Sequence, residues 1–227
     1  FYLQADRDGL DTLMEKIKEG MSEGAVFTPV GEGTIQCEET NDDDWLHKWK
    51  EFFKPFLLDD ILIKPTWESI PENMNYRISI DIDPGTSFGT GQHETTQLCI
   101  RNIEKHMKLG DQILDLGCGS GILSIICLKL GADHVMGTDI DPICMEACRE
   151  NMRRNQIEQT KYHFYCGDLI SDPKIKDMIS VKEYDIVVAN ILADIIIPMA
   201  PVVYPYLKKG GYFITSGIID FKENPVK

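Results

Sequence analysis

The sharpest chemical signal in the chain is a glycine run between two apolar segments, Asp115-Leu116-Gly117-Cys118-Gly119-Ser120-Gly121. Glycines let a backbone turn tightly and approach a ligand closely, and the N–H groups at the start of a following helix receive anionic or polar ligand groups. Asp139 stands 22 residues beyond Gly117, at the end of a second apolar segment, in Gly137-Thr138-Asp139-Ile140-Asp141. A carboxylate there offers two acceptor oxygens to the vicinal hydroxyls of an adenosine ribose, at an offset that fits a nucleoside site. The competing role is a helix cap, for which Asp141 before Pro142 is the better placed of the two.

Asn190 follows another apolar segment in Val188-Ala189-Asn190-Ile191-Leu192-Ala193. Its amide can accept a hydrogen bond from an incoming amine and so align it for reaction, or it can simply cap the next helix. Asp168, in Cys166-Gly167-Asp168, holds the corresponding place after an earlier strand. The segment from Asp83 to Thr96 has three glycines, several hydroxyl residues, Phe88 and His93, a composition suited to a loop that closes over a ligand. His93 is read either as a base or as a cap at a helix start. The glycine run departs from the dinucleotide fingerprint, which needs its last glycine where this chain has Ile122.

Alternating strands and helices must position these residues. From residue 93 the pattern predicts a helix through Leu98, Ile100, Ile103 and Met107, strand Gln112–Leu116, helix Ile122–Leu130, strand His134–Thr138 and helix Pro142–Asn155. Strands Tyr162–Cys166 and Tyr184–Ala189, a proline-interrupted helix to Leu207 and strand Tyr212–Thr215 follow. Such alternation implies an α/β fold with a doubly wound, mainly parallel sheet, and ligands beyond the carboxyl ends of its strands. Upstream, a smaller α+β region is expected. It would hold a helix through Leu10, Leu13, Met14 and Ile17, another from Asn41 through Trp45, Trp49, Phe52 and Phe53, then strands at 61–63 and 76–82 around a turn at Pro71-Glu72-Asn73. The expected division is residues 1–65 as an N-terminal recognition region, 66–92 as a linker with the glycine-rich loop, and 93–227 as the catalytic domain.

The 227 residues carry a net charge of −14, and residues 1–58 hold 13 acids against 6 Lys or Arg. That balance argues against a phosphate backbone as the main partner and suits a basic protein. No stretch is long and apolar enough to span a bilayer, since Asp185, Asn190, Asp194 and Pro198 interrupt the most apolar region. Seven cysteines without a Cys-x-x-Cys pair read as reduced, buried thiols, so the expectation is a soluble cytoplasmic protein with no metal site.

With its glycine spacing the chain resembles class I methyltransferases, and more narrowly the bacterial ribosomal-protein methyltransferases that modify large-subunit protein eleven. The resemblance rests on Trp45-x-x-x-Trp49-Lys50, Ile63-Lys64-Pro65-Thr66-Trp67, the loop Phe88-Gly89-Thr90-Gly91-x-His93-x-Thr95-Thr96, the glycine run, Asp139-Ile140-Asp141-Pro142, Asn190-Ile191-Leu192-Ala193 and Ser216-Gly217-Ile218. It implies S-adenosylmethionine as cofactor and lysine or N-terminal amines of a basic ribosomal protein as acceptor. Thr96, Gly117, Gly119, Asp139, Asp168 and Asn190 would contact the cofactor, and Asn190 would also align the amine. Two more strands are expected beyond the fifth, past Lys227. A base methyltransferase for RNA or DNA, or a non-catalytic cofactor-binding module, are the alternatives.

Overall fold

A computed structural model describes residues 14–18, 53–83, 89–179 and 183–218. The chain divides into two compact units, Phe1–Lys48 and Trp49–Lys227. In the first, residues 14–18 are helical, with Met14 and Ile17 half-buried at the i, i+3 spacing of one helix face. The rest of that helix, the Trp45–Phe52 part of the second one, and Phe88 lie outside the described residues.

The second unit begins with a small sheet. Strands β1 (Phe56–Leu58) and β2 (Ile61–Pro65) pair antiparallel, and β2 pairs with β3 (Ile78–Ile82). A turn is present at residues 72–73, with Asn73 at φ 73°, yet β2 and β3 run parallel. Residues 66–77 therefore form a crossover and not a hairpin. Because β1 and β2 pair into this sheet, the compact-unit boundary falls between Lys48 and Trp49, upstream of residue 65, and the expected linker region contains β3.

The remaining elements are α1 (Glu94–His106), β4 (Gln112–Leu116), α2 (Ile122–Lys129), β5 (His134–Asp139), α3 (Pro142–Arg154), β6 (Tyr162–Cys166), α4 (Pro173–Ile179), β7 (Tyr184–Asn190), α5 (Ala193–Val203) and β8 (Leu207–Ser216). The five strands form one parallel sheet in the order β6-β5-β4-β7-β8. The chain winds outward from β4 to β6, then returns to place β7 on the other side of β4. That reversal makes the crevice beyond the carboxyl ends of β4 and β7 the expected ligand site.

Two cores explain the apolar strand runs. Ile113, Val135, Ile186 and Val188 pack with residues of α1, α2, α3 and the small sheet, among them Ile61, Ile63, Ile80, Ile100 and Ile126. Leu114, Leu116, Met136 and Val187 face Ile175, Ile179, Met199 and Val203 of α4 and α5. Each fully buried Leu or Ile contributes roughly 1.5–3 kcal/mol, so both faces of the sheet are firmly covered. Helix α4 was not anticipated, although Asp172-Pro173 signals its start and Asp172 Oδ1 takes the Lys174 amide at 2.9 Å. Strand β8 starts at Leu207, five residues earlier than expected, because Tyr184 pairs with Leu207 and Ile186 with Tyr212, leaving an irregularity that the pattern hides.

The edge of β3 is closed by side chains. Asn155 Oδ1 accepts the Asp81 amide at 2.9 Å and its Nδ2 donates to the Asp81 carbonyl at 2.6 Å, while Asn151 does the same for Asp83, both bonds at 2.9 Å. Two asparagines one helical turn apart thus imitate a neighbouring strand.

Candidate active site

The glycine run forms the turn from β4 into α2. The amides of Gly117 and Cys118 both donate to the Thr138 carbonyl, at 2.8 and 3.1 Å, which seats the turn beside the end of β5. Gly117 has φ 72°, and a Cβ there would lie 2.5 Å from Ile191 Cγ2, so side chains are excluded both by backbone conformation and by space. The Gly119 amide donates to Asp139 Oδ2 at 2.8 Å, and the Asp141 amide to Asp139 Oδ1 at 3.0 Å. Each oxygen keeps an acceptor lone pair, which is what a vicinal diol requires. Asp141 is the cap of α3, its Oδ1 taking the Ile143 amide at 2.9 Å. Of the two acids, Asp141 is the one that caps the helix, as its place before Pro142 indicates.

A second cluster lies at the end of β7, the strand on the other side of β4 from β5. Asn190 Nδ2 donates to Thr96 Oγ1 at 2.9 Å, Ser216 Oγ donates to Asn190 Oδ1 at 2.5 Å, and Cys99 Sγ donates to Ser216 Oγ at 3.2 Å. Helix α5 is capped by Leu192 without a side-chain bond, so Asn190 is engaged with α1 and β8 and does not cap. Thr96 is buried in the first turn of α1. The next residue, Ile191, touches the space over Gly117 and so joins the two clusters. Neither Ser216 nor Cys99 was singled out in sequence as a site residue.

The loop from Asp83 is tied to the glycine turn at both described flanks. Ser120 Oγ donates to the Gly89 carbonyl at 2.7 Å, and Asn151 Nδ2 donates to the carbonyls of Ser120 and Asp83, each at 2.9 Å. His93 caps α1: its Nδ1 accepts the Thr95 amide at 3.3 Å and lies 2.7 Å from Thr95 Oγ1. That is the capping role of its two readings.

Asp168 sits beside Asp139 through the Gly167 amide, which donates to the Asp139 carbonyl at 2.8 Å. Its carboxylate is turned into its own loop, accepting the Ile170 amide at 2.9 Å and Ser171 Oγ at 2.6 Å. Partial burial opposes ionisation, but the bonds from Ser171 and the backbone outweigh it and hold the carboxyl below its usual range. Beneath the glycine turn, buried Asp115 accepts Ser124 Oγ at 2.6 Å, and burial pushes its carboxyl up to about 6. An acid inside the apolar strand Ile113-Leu114-Asp115-Leu116 was the signal for it. Among the described residues no group of three or more His, Cys, Asp or Glu is placed to hold a metal ion, and no helix is long and apolar enough to cross a membrane.

Comparison with known proteins gives a consistent picture. Residues 2–227 match the family model described as ribosomal protein L11 methyltransferase (PrmA). A protein of Agathobacter rectalis named ribosomal protein L11 methyltransferase is 51% identical over 230 residues, spanning 100% of this chain and 71% of the relative. One of the same name from Lachnospira eligens is 46% identical over 226 residues, with 100% and 71% covered. The crystal structure of ribosomal protein L11 methylase from Lactobacillus delbrueckii subsp. bulgaricus superposes with a TM-score of 0.62 at 35% identity, covering 73% of this chain and 80% of that one.

Proposed function

Because the chain belongs to the ribosomal protein L11 methyltransferase family, we propose that it transfers the methyl group of S-adenosylmethionine to lysine or N-terminal amines of ribosomal protein L11. The observation that carries the reading is the placement of two clusters at the carboxyl ends of neighbouring strands of one sheet: Gly119 with Asp139 after β4 and β5, Asn190 with Thr96 at the end of β7. The first suits a nucleoside, the second an amine.

Bound S-adenosylmethionine supplies an electrophilic sulfonium methyl, which leaves binding, orientation and exclusion of water to the protein. Gly117, Gly119 and Asp139 hold the cofactor in this reading, with Asp139 on the ribose and Asp168 near the adenine. Thr96 contributes a buried hydroxyl to the cofactor side. Asn190 aligns the acceptor nitrogen through the lone pair left on Oδ1. A lysine amine, with an unperturbed pKa of ~10.4, attacks only as the free base, and the partly desolvated crevice favours that neutral form. Ser120 Oγ, donating to the Gly89 carbonyl, holds that residue against the glycine turn.

A net charge of −14 favours a basic protein over nucleic acid as acceptor and agrees with a cytoplasmic site of action on ribosomal protein. The N-terminal region selects that substrate. Neither base methylation nor a purely non-catalytic role is favoured by the family assignment. Incubation of the protein with tritium-labelled S-adenosylmethionine and dissociated ribosomes, their proteins and RNA then separated and resolved by mass, tests the reading. Label on L11 is expected, and label confined to RNA or to no component rules it out.

A further inference from the structure

Asn190 is the residue whose two faces matter most for the proposed reaction, and a carboxamide is nearly symmetric. Rotation by half a turn exchanges an acceptor for a donor at almost the same position, which would replace attraction for an amine N–H by repulsion. Something must therefore fix which way the amide points. A hydroxyl neighbour alone does not, since it donates and accepts equally well.

The structure holds a directional chain that resolves the ambiguity. Cys99 Sγ donates to Ser216 Oγ at 3.2 Å, Ser216 Oγ donates to Asn190 Oδ1 at 2.5 Å, and Asn190 Nδ2 donates to Thr96 Oγ1 at 2.9 Å. Ser216 is register-paired with Asn190 at the ends of β8 and β7, so backbone pairing already holds the two side chains adjacent. We infer that Ser216 is a positioning residue for methyl transfer, with Cys99 behind it directing its proton, so that the Asn190 carboxamide presents its oxygen in a single orientation to the acceptor amine. The inference rests on the reading of Asn190 as the amine-aligning group.

Three further features support it. Ser216 and Cys99 are 7% and 1% exposed, so water does not substitute for either hydrogen bond. Burial pushes the Cys99 thiol up to about 11, which keeps it a protonated donor throughout the physiological range. With the thiol occupying one acceptor site on Ser216 Oγ, the serine proton is left for Asn190 Oδ1, and Nδ2 then faces Thr96. Oδ1 and Nδ2 each retain one free hydrogen-bonding position, on opposite edges of a pinned plane.

The test uses the full chain with purified ribosomal protein L11 and S-adenosylmethionine. Ser216→Ala is expected to lower kcat about tenfold with little change in KM for L11, the loss of one oriented contact at the reacting centre. Ser216→Thr, which keeps the hydroxyl, should recover most of that rate. Ser216→Cys, a near-isostere with a weak donor, gives an intermediate rate and serves if the alanine variant does not fold. A double-mutant cycle read by calorimetry needs no turnover: Ser216→Ala weakens S-adenosylmethionine binding about threefold beside Asn190 and has no effect in an Asn190→Ala background. Wild-type kcat in both Ser216→Ala and Ser216→Cys, or an equal loss of affinity in both backgrounds, overturns the positioning role. A wild-type protein that binds the cofactor and leaves L11 unlabelled overturns the proposed substrate instead, and the calorimetric cycle still decides the role of Ser216.

Discussion

The Gly119 amide donates to Asp139 Oδ2 across 2.8 Å, joining the turn after β4 to the end of β5. Through this bond a carboxylate at one strand end is aimed by the backbone of the neighbouring strand's turn. The Asp141 amide donates to the other oxygen, Oδ1, so one carboxylate ties the turn after β4 to the start of α3.

Asp139→Ala is expected to weaken S-adenosylmethionine binding by ~1.5–3 kcal/mol, the range for hydrogen bonds to a charged acceptor. The Gly119 and Asp141 amides lose their acceptor at the same time, so Asp139→Asn, which keeps one oxygen, should fall between. Titration calorimetry on folded variants checks this, and unchanged affinity in the alanine variant removes Asp139 from the ribose.

Gly117→Ala puts a methyl group 2.5 Å from Ile191 Cγ2 at a residue whose φ is 72°. Left-handed backbone costs a side-chain-bearing residue ~1–2 kcal/mol before the contact is counted. Urea denaturation should therefore show a loss of at least ~1 kcal/mol, part of it recovered by a second change, Ile191→Ala, that opens the space. If the double variant is no more stable than additivity allows, the clash is not the cause.

How much of this was legible in sequence follows the range of the interactions. The glycine turn, Asp139 as distinct from its capping neighbour Asp141, and the strand–helix alternation are local, and local pattern found them. The parallel pairing of β2 with β3 was not, because residues 66–77 look like any turn-bearing connection. Asn151 and Asn155 bond to residues 68 and 74 positions away, and Cys99 meets Ser216 across 117. A polar residue in a helix interior carries no mark of its distant partner, so the network that orients Asn190 emerges only when the sheet closes.

Asn151→Ala removes three hydrogen bonds made by a fully buried side chain, to the Asp83 amide, the Asp83 carbonyl and the buried Ser120 carbonyl. Each bond is worth ~0.5–1.5 kcal/mol and an unmade one in a buried site more, so a loss of ~2–3 kcal/mol is expected, larger than for Asn102→Ala on the exposed face of α1. Chemical denaturation of both variants checks it. Equal effects would show that the β3 edge does not depend on the asparagine pair.

Burial raises the Asp115 carboxyl to about 6 in the folded protein, against ~3.9 in an unfolded chain. The folded state then binds the proton more tightly, so this group makes stability fall as pH rises from about 4 to about 6. The full penalty above that window is about 3 kcal/mol. Asp115→Asn should accordingly be more stable than wild type at pH 7.5 by up to about that amount, with the difference shrinking toward zero near pH 4. Denaturation midpoints for the pair across pH 4 to 8 check it, and a pH-independent difference rules out titration of Asp115 as the cause.

The division between Lys48 and Trp49 leaves the larger compact unit whole, whereas a cut at residue 65 passes through its small sheet. Residues 56–65 form β1 and β2, and Ile61, Leu62 and Ile63 are wholly buried, Ile61 and Ile63 within the core that also holds Ile113, Val135 and Ile186 of the parallel sheet. Losing them removes three core side chains, each a matter of ~1.5–3 kcal/mol, and leaves β3 without its partner. A chain lacking residues 1–65 is therefore expected to unfold, with cofactor binding and methylation lost together. Removal of residues 1–48 leaves every described strand and every candidate cofactor contact in place, so S-adenosylmethionine affinity should stay within about threefold of wild type. Methylation of ribosomal protein L11 by that shorter chain should fall by at least tenfold, and the wild-type rate should itself decline as salt rises, because an acidic segment attracting a basic protein is screened. Circular dichroism establishes folding, calorimetry the cofactor affinity, and tritium transfer the activity of both truncations. A chain without residues 1–48 that methylates L11 at the full rate rules out selection by this region.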